Sequence, residues 1–303
     1  MLRGLYTAAA GMISQQRKHD TVTNNIANLN TPGYKQNNAV SRSFPEMLIS
    51  LTNGETGGRT SRAIGRLNTG VLAEEDPSVY VQGDLQETKN TFDFALVSDI
   101  QLNNLAFDGR GMAFDANGER VFQPQAFFTV QDAAGQLRYS RNGKFTANDQ
   151  GELVTSEGYK VLGTDGQPIV LADGNGTFLA DAKLTPDGRF LDSQNGQPLV
   201  KNPNTPQQAP LQIMVSKIEN PNRLIREGNG VYRVNEGDEG LVTPVTANDQ
   251  VEVRQGYLER SNVDAAQSMV DMNTALRAYE ANQKVVQYYD KSLEKAVNEV
   301  GRV

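Results

Sequence analysis

The 303-residue chain has no cysteine, no tryptophan and a single histidine, His19. Without cysteine there is no disulfide, no thiol nucleophile and no thiolate metal cage. One imidazole cannot build a histidine metal site. A general base also needs a nucleophile and an orienting group within hydrogen-bond reach, and no motif supplies them. No apolar run approaches the ~18 residues of a membrane-spanning helix, so no membrane insertion is expected. The opening Met1-Leu2-Arg3-Gly4-Leu5-Tyr6-Thr7 lacks a continuous apolar stretch, so no cleavable secretory signal is expected. The net charge is −7 and basic runs are absent, which argues against a nucleic-acid partner. No glycine loop lies between a strand and a helix to cradle a phosphate. The expectation is a protein with no cofactor, no metal and no catalytic residues.

Glycine is plentiful, at 28 residues, and hydrophobic residues make up 38% of the chain. That balance suits a turn-rich β domain of modest core. The ends read differently. From Ser261 to Val303 an apolar stripe runs through Ala265, Met269, Met272, Leu276, Tyr279, Val286, Leu293, Val297 and Val300. With Gln283 and Asp290 as polar members it alternates by four and three, the repeat of a helix packing along a partner helix. Ser261 and Asp264 suggest a capping box at its start, and Gly301 a stop. A helix of roughly 38 residues spans roughly 55–60 Å and calls for a partner of matching length. The N-terminal segment offers one, with Leu2, Leu5, Ala9, Met12, Val22, Ile26 and Leu29 on a helical face interrupted by Gln16 and His19. Thr31-Pro32-Gly33-Tyr34 then reads as a type II turn.

Between the ends, residues 36–79 are polar and glycine-rich and read as an extended or disordered connector. Phe44-Pro45-Glu46-Met47-Leu48-Ile49 is its one apolar patch, a short helix or a docking point. From residue 80 to 255, short apolar runs alternate with turns such as Asn142-Gly143, Asp165-Gly166, Asp187-Gly188 and Asn195-Gly196, each able to supply positive φ. Phe92, Phe94 and Leu96 alternate as in a strand with one buried face. Asp173-Gly174-Asn175-Gly176-Thr177 begins like a calcium loop, but Phe178 and Leu184 stand where that loop needs glycine and glutamate, so a turn is the better account. Asn175-Gly176-Thr177 also fits a glycosylation sequon, a short pattern that arises often by chance.

With both ends in view, the chain resembles the bacterial flagellar rod and hook family, closest to its distal-rod type. The strings that carry the likeness are Asn24-Asn25-Ile26-Ala27-Asn28 with Asn30-Thr31-Pro32-Gly33-Tyr34-Lys35, then Ser261-Asn262-Val263-Asp264, Arg277-Ala278-Tyr279-Glu280-Ala281-Asn282 and Val297-Asn298-Glu299-Val300-Gly301-Arg302-Val303. Segments 80–96, 127–130, 139–145 and 153–163 add to it, while 98–125 stands as an insertion. The resemblance implies an α+β chain in four parts: an axial helix and turn over 1–35, a connector over 36–79, a central β domain over 80–255, and a C-terminal axial helix over 256–303. The helices would pair as a coiled-coil-like axial domain. It further implies a structural subunit of the basal-body rod that polymerises with itself and other flagellar axial proteins. Such a subunit would leave the cell through the flagellar type III export apparatus and reside in the basal body. The expected subunit interface is Leu2, Leu5, Met12, Ile26, Met269, Met272, Leu276, Tyr279, Val286, Leu293, Val297 and Val300. The competing readings are a hook or rod–hook junction subunit and, from another class, a β-rich glycan-active enzyme or adhesin with helical oligomerisation ends.

Overall fold

The computed structural model describes residues 2–300 apart from 53–60, 75–76, 103–104, 110, 172–178, 180, 194–195, 201–209 and 247–248. The calcium-like loop and sequon at Asp173 lie outside the described residues, as do Asn195, Gly301, and the side chains of Leu2 and Val300. The chain forms two compact units. The first is Met1–Ala27, Asn37–Pro77 and Asp264–Val303; the second is Asn28–Gln36 and Ser78–Val263.

In the first unit, α1 (Leu2–Ala27) and α2 (Ala265–Lys295) pack against each other, and α2 continues into a wider π-helical turn over Ala296–Val300. They run antiparallel. A Cβ on Gly4 would sit 2.2 Å from the Tyr289 hydroxyl, and one on Gly11 would sit 2.9 Å from the Asn282 amide. Residues seven apart on α1 thus meet residues seven apart on α2, glycine opposite a larger side chain each time. The segment between the helices is not a bare connector. β1 (Ser41–Ser43) pairs with β4 (Val71–Ala73), and β2 (Met47–Thr52) pairs with β3 (Ser61–Leu67), both antiparallel. The apolar patch at Met47 is therefore a strand, not a helix. The β1–β4 pair docks on α1: Ser14 and Ser41 share a hydrogen bond of 2.7 Å, and the Arg17 guanidinium reaches the Ala73 carbonyl at 3.4 Å.

The second unit is almost all β. Its strands are β5 (Leu85–Glu87), β6 (Phe94–Ser98), β7 (Met112–Phe114), β8 (Arg120–Phe122), β9 (Gln125–Gln131), β10 (Leu137–Ser140), β11 (Phe145–Ala147), β12 (Leu153–Thr155), β13 (Lys160–Val161), β14 (Lys183–Leu184), β15 (Phe190–Leu191), β16 (Val215–Ile218), β17 (Ile225–Gly228), β18 (Val231–Arg233), β19 (Val242–Pro244), β20 (Val251–Gln255) and β21 (Tyr257–Glu259). The main sheet runs β11-β12-β13-β9-β10-β18-β17, with β16 added to β9 and β19 to β16. Strand β9 is the keel. Successive side chains of a strand point to opposite faces, so Phe127 and Phe128 serve different cores. Phe128 stacks edge-on to Phe145 at 5.1 Å, beside Phe94 and Phe190. Phe127 stacks edge-on to Tyr232 at 5.6 Å, beside Tyr80 and Ile218. β6, paired with β20, buries Ala95 as fully as Phe94 and Leu96, so both its faces are covered rather than one. The insertion carries the β7–β8 hairpin.

One turn recurs among the described residues. In Asp115–Glu119, Asp132–Gln136, Asn148–Glu152, Thr155–Tyr159, Gly163–Gln167 and Thr185–Arg189 the first N–H donates to the fifth carbonyl, and the fourth residue is a glycine whose N–H donates back to the first carbonyl. Each of those glycines has φ between 73° and 89°, open to glycine at no steric cost. This is the three-residue hairpin loop ending in a glycine bulge. Asp165-Gly166 and Asp187-Gly188 belong to it. Asn142-Gly143 does not: β10 and β11 are not partners, and Gly143 is needed because a Cβ there would lie 1.7 Å from the Phe94 carbonyl oxygen.

Candidate functional site

Two features stand out, one in each unit. The first is a buried clamp in the β unit, where the segment after α1 meets the segment before α2. The type II turn forms as expected: Gly33 has φ 70°, and the Tyr34 N–H donates to the Thr31 carbonyl at 3.3 Å. It delivers the Gly33 N–H to the Glu259 carbonyl at 2.8 Å and Lys35 into the interior. There the Lys35 Nζ donates to Glu259 Oε1 at 2.6 Å and to the Val81 carbonyl at 2.8 Å. The other carboxylate oxygen of Glu259 accepts from Arg141 Nε at 2.9 Å. Gly83 N–H adds a third donor to the carboxylate at 3.0 Å. The remaining guanidinium nitrogens of Arg141 reach the carbonyls of Ala126 (2.7 Å) and Leu96 (3.3 Å), Ser98 Oγ (3.3 Å) and Gln82 Oε1 (3.4 Å).

One carboxylate between two cations leaves the cluster with a formal charge of +1, out of water. Burial opposes ionisation of Glu259, but Arg141 and Lys35 outweigh it and hold the carboxyl at about 2. Burial, reinforced by the Arg141 charge, brings the Lys35 ammonium down to about 8 against the pull of Glu259. Asn262 closes the joint. Its Oδ1 accepts from Gln36 N–H at 2.8 Å, and its Nδ2 donates to the carbonyls of Val79 (2.8 Å) and Val81 (3.2 Å). Beside it the Arg226 guanidinium lies over the Tyr34 ring at 5.2 Å and the Tyr232 ring at 5.7 Å.

The second feature is the outer surface of α2. Half-buried or buried positions recur at Ala265, Ser268, Met272, Ala275, Tyr279, Asn282, Val286, Tyr289, Leu293 and Ala296. They alternate by three and four, as the stripe read from sequence does, but only every second member is shared. Met272, Tyr279, Val286 and Leu293 turn inward. Met269 (54% exposed), Leu276 (44%) and Val297 (71%) do not. The positions that take their place inward, Ser268, Ala275 and Ala296, are small. On α1, Leu5, Met12 and Ile26 are half-buried. Among the described residues no cluster of histidine and carboxylates could hold a metal ion, and no helix is long and apolar enough to cross a membrane.

Three family models match stretches of this chain: the flagella basal body rod protein model over residues 5–35, the flagellar hook protein FlgE/F/G D1 domain over 122–218, and the flagellar basal body rod FlgEFG protein C-terminal model over 254–299. The chain is 37% identical to the flagellar hook-basal body complex protein FlhO of Bacillus subtilis across 100% of both chains. The chain belongs to the flagellar basal-body rod and hook family. It is also 30% identical to the flagellar basal-body rod protein FlgG of Borreliella burgdorferi, over 97% of each chain. The FlgG protein of Bacillus subtilis matches at 27%, over 98% of this chain and 99% of that one.

In this rod-family protein the motif residues read from sequence separate into the two units. Buried Asn25 exchanges hydrogen bonds with both backbone groups of Asn37, at 2.8 and 3.0 Å, fixing the chain as it re-enters the helical unit. Asn28 accepts from the Thr31 hydroxyl at 3.2 Å. Asn24 and Ala27 face outward at the end of α1, and Pro32 is half-buried in the turn. At the C-terminal side the capping box does not form. Asp264 is itself the N-cap, accepting from Ala266 N–H at 2.8 Å and Gln267 N–H at 3.1 Å. Ser261 lies upstream, where its hydroxyl accepts from Val263 N–H at 3.4 Å, and the Val263 side chain is buried. The centre of the rod-family clamp was not apparent from sequence: Glu259 ends strand β21 and Arg141 directly follows strand β10, in segments that read as ordinary strands. Lys35 was visible only as the last residue of a matching string.

Proposed function

We infer that the protein is a structural subunit of the flagellar basal-body rod that polymerises through its terminal helices, with no enzymatic role. The observation that carries this is the division of labour on α2 in a chain of this family. An inward set of positions packs the two helices together, while Met269, Leu276 and Val297 stand exposed in a row beside it whose remaining members are Gln283 and Asp290. Exposed apolar residues aligned in this way mark interaction surfaces. The helix pair is an antiparallel coiled coil, supported by the three-and-four alternation and by the glycine contacts seven residues apart. Neighbouring copies and other axial proteins cover the outer row. Export by the flagellar route is part of this reading and rests on family membership.

The test contrasts two adjacent substitutions in a complemented deletion strain. Leu276→Glu puts a charge in the outer row and is expected to abolish rod assembly and motility while the purified protein keeps its helicity and melting temperature. Ala275→Leu overpacks the inward set, at about 1–3 kcal/mol, and is expected to loosen the helix pair itself. Normal assembly by Leu276→Glu would overturn the role given to the outer row.

A further inference from the structure

Apart from the clamp, the β unit carries an open cleft of about 540 Å³. Its walls are the end of β5 with the turn that follows, residues 181–183, Ser193, and the junction of β20 and β21. The frame is held rigidly. Gln255 stitches the walls together: its Nε2 donates to the carbonyls of Thr91 (2.8 Å) and Ala182 (2.7 Å), and its Oε1 accepts from Leu184 N–H at 2.8 Å. The Gly256 carbonyl accepts from the N–H groups of Thr88 (2.8 Å) and Lys89 (3.2 Å). Those bonds keep Lys89 at φ 59°, in the left-handed region.

Around this frame stand Glu87, Lys89, Asp181 and Lys183, two carboxylates and two ammonium groups. Among the described residues none of the four engages a side-chain hydrogen bond or ion pair, although opposite charges share the rim. Tyr257 adds a half-buried ring with an uncommitted hydroxyl. The four charges sum to zero, so the cleft has no net charge that would select an ion of one sign. Most of the residues that line it carry polar groups, which suits a ligand that is itself rich in hydrogen-bonding groups. Carboxylates accept only and ammonium groups donate only. A lining that holds both kinds suits a ligand whose groups donate and accept, as sugar hydroxyls do, while an aromatic face takes the apolar side of a pyranose ring. The volume falls within the range of pockets that hold small ligands.

We propose that this cleft binds a neutral oligosaccharide. The site is independent of the helix surface and involves binding alone, with no bond made or broken.

The experiment titrates chitotetraose and cellotetraose into the full-length protein by calorimetry. Saturable binding of at least one sugar is expected, with Kd below about 5 mM. The double variant Asp181→Asn with Lys183→Gln lies on the exposed rim and is expected to weaken binding about fivefold or more, the loss of one or two hydrogen bonds, with an unchanged melting temperature. Tyr257→Ala provides a second loss. No saturable heat up to about 10 mM sugar, or full binding by both variants, would overturn the proposal. Displacement of the sugar by a Gly-Lys-Asp-Gly peptide of equal or greater affinity would also overturn it, and would make the cleft a peptide site.

Discussion

Replacing Glu259 by glutamine removes the one negative charge of the clamp and leaves its shape almost unchanged. The carboxylate accepts from Lys35 at 2.6 Å, from Arg141 at 2.9 Å and from Gly83 at 3.0 Å. Glutamine can keep the Gly83 contact and one other, but it offers an amide where a cation needs an anion. Breaking a buried ion pair in this way costs about 3–5 kcal/mol. Arg141 cannot relieve the strain by losing its proton. Lys35 can, because its ammonium already sits at about 8. Deprotonating it at pH 7 costs about 1.4 kcal/mol per pH unit of displacement, so the net loss at pH 7 should fall near 3 kcal/mol. For a β unit of roughly two hundred residues that corresponds to a melting temperature lower by about 6–12 °C. The assay is thermal unfolding of the full-length variant, followed by calorimetry and by near-ultraviolet circular dichroism of the buried tyrosines. The penalty should shrink at pH 9, where Lys35 is neutral in the folded state. A shift below about 1 °C, or a penalty that grows with pH, would refute the account of the clamp.

The wild-type pH profile follows from the same two groups. Glu259 is depressed in the folded state, so its stabilisation is complete above about 4.5 and is lost as pH falls toward 2; acid denaturation curves should show this, and Glu259→Gln should flatten it. Lys35 is also depressed, the reverse of an ordinary paired lysine, so the unfolded chain holds the proton longer and stability should rise between about pH 8 and 10. Above that window buried Tyr80 and Tyr232, whose hydroxyls are pushed up by burial, reverse the trend; urea midpoints across pH 7–11 would trace both limbs. Gly33→Ala should cost more than about 1 kcal/mol, because φ is 70° and the new Cβ would sit 2.6 Å from the Arg141 carbonyl; unchanged unfolding would contradict the tight turn. Gly4→Ala should disturb the helix pair, since its Cβ would meet Tyr289, and Tyr289→Ala in the same chain should restore helicity measured by far-ultraviolet dichroism.

Much of the fold was legible because its signals are local. Pro32 and Gly33 announced their turn, and Gly166 and Gly188 announced theirs, whereas the loops at Gly135, Gly151 and Gly158 were not read from sequence. The helix phase was half legible. Hydropathy selects the largest apolar side chains, and on α2 these lie in two rows, so the stripe read from sequence mixes Met272 and Tyr279 from the inner row with Met269 and Leu276 from the outer one. The inner row is completed by Ser268, Ala275, Asn282, Tyr289 and Ala296, of which the first three are small or polar and carry no hydrophobic signal. The start of α2 was displaced for a similar reason: Ser261 and Asp264 fit a two-residue cap, but Asp264 alone satisfies the first N–H groups. Residues 36–79 read as a connector because glycine and polar residues dominate, yet a strand pair needs only backbone hydrogen bonds and a helix to lie on. The clamp gave the least warning. Lysine, arginine and glutamate are read as surface residues, and only three-dimensional proximity across 224 positions makes one salt-bridged centre of Lys35 and Glu259.

The clamp also changes the statistics of chain closure. Gly11 and Asn282 are about 270 residues apart in sequence, and bringing such distant segments together from an open chain is entropically unfavourable. Once Lys35 and Glu259 are joined, the free path between the two helices shrinks to about 50 residues. With closure entropy growing as the logarithm of loop length, that shortening favours helix encounter by roughly 1.5 kcal/mol, about a tenfold gain in effective concentration. The β unit thereby acts as a template for the termini. Until residue 259 has found residue 35, the whole intervening chain separates α1 from α2, and their pairing is correspondingly slow.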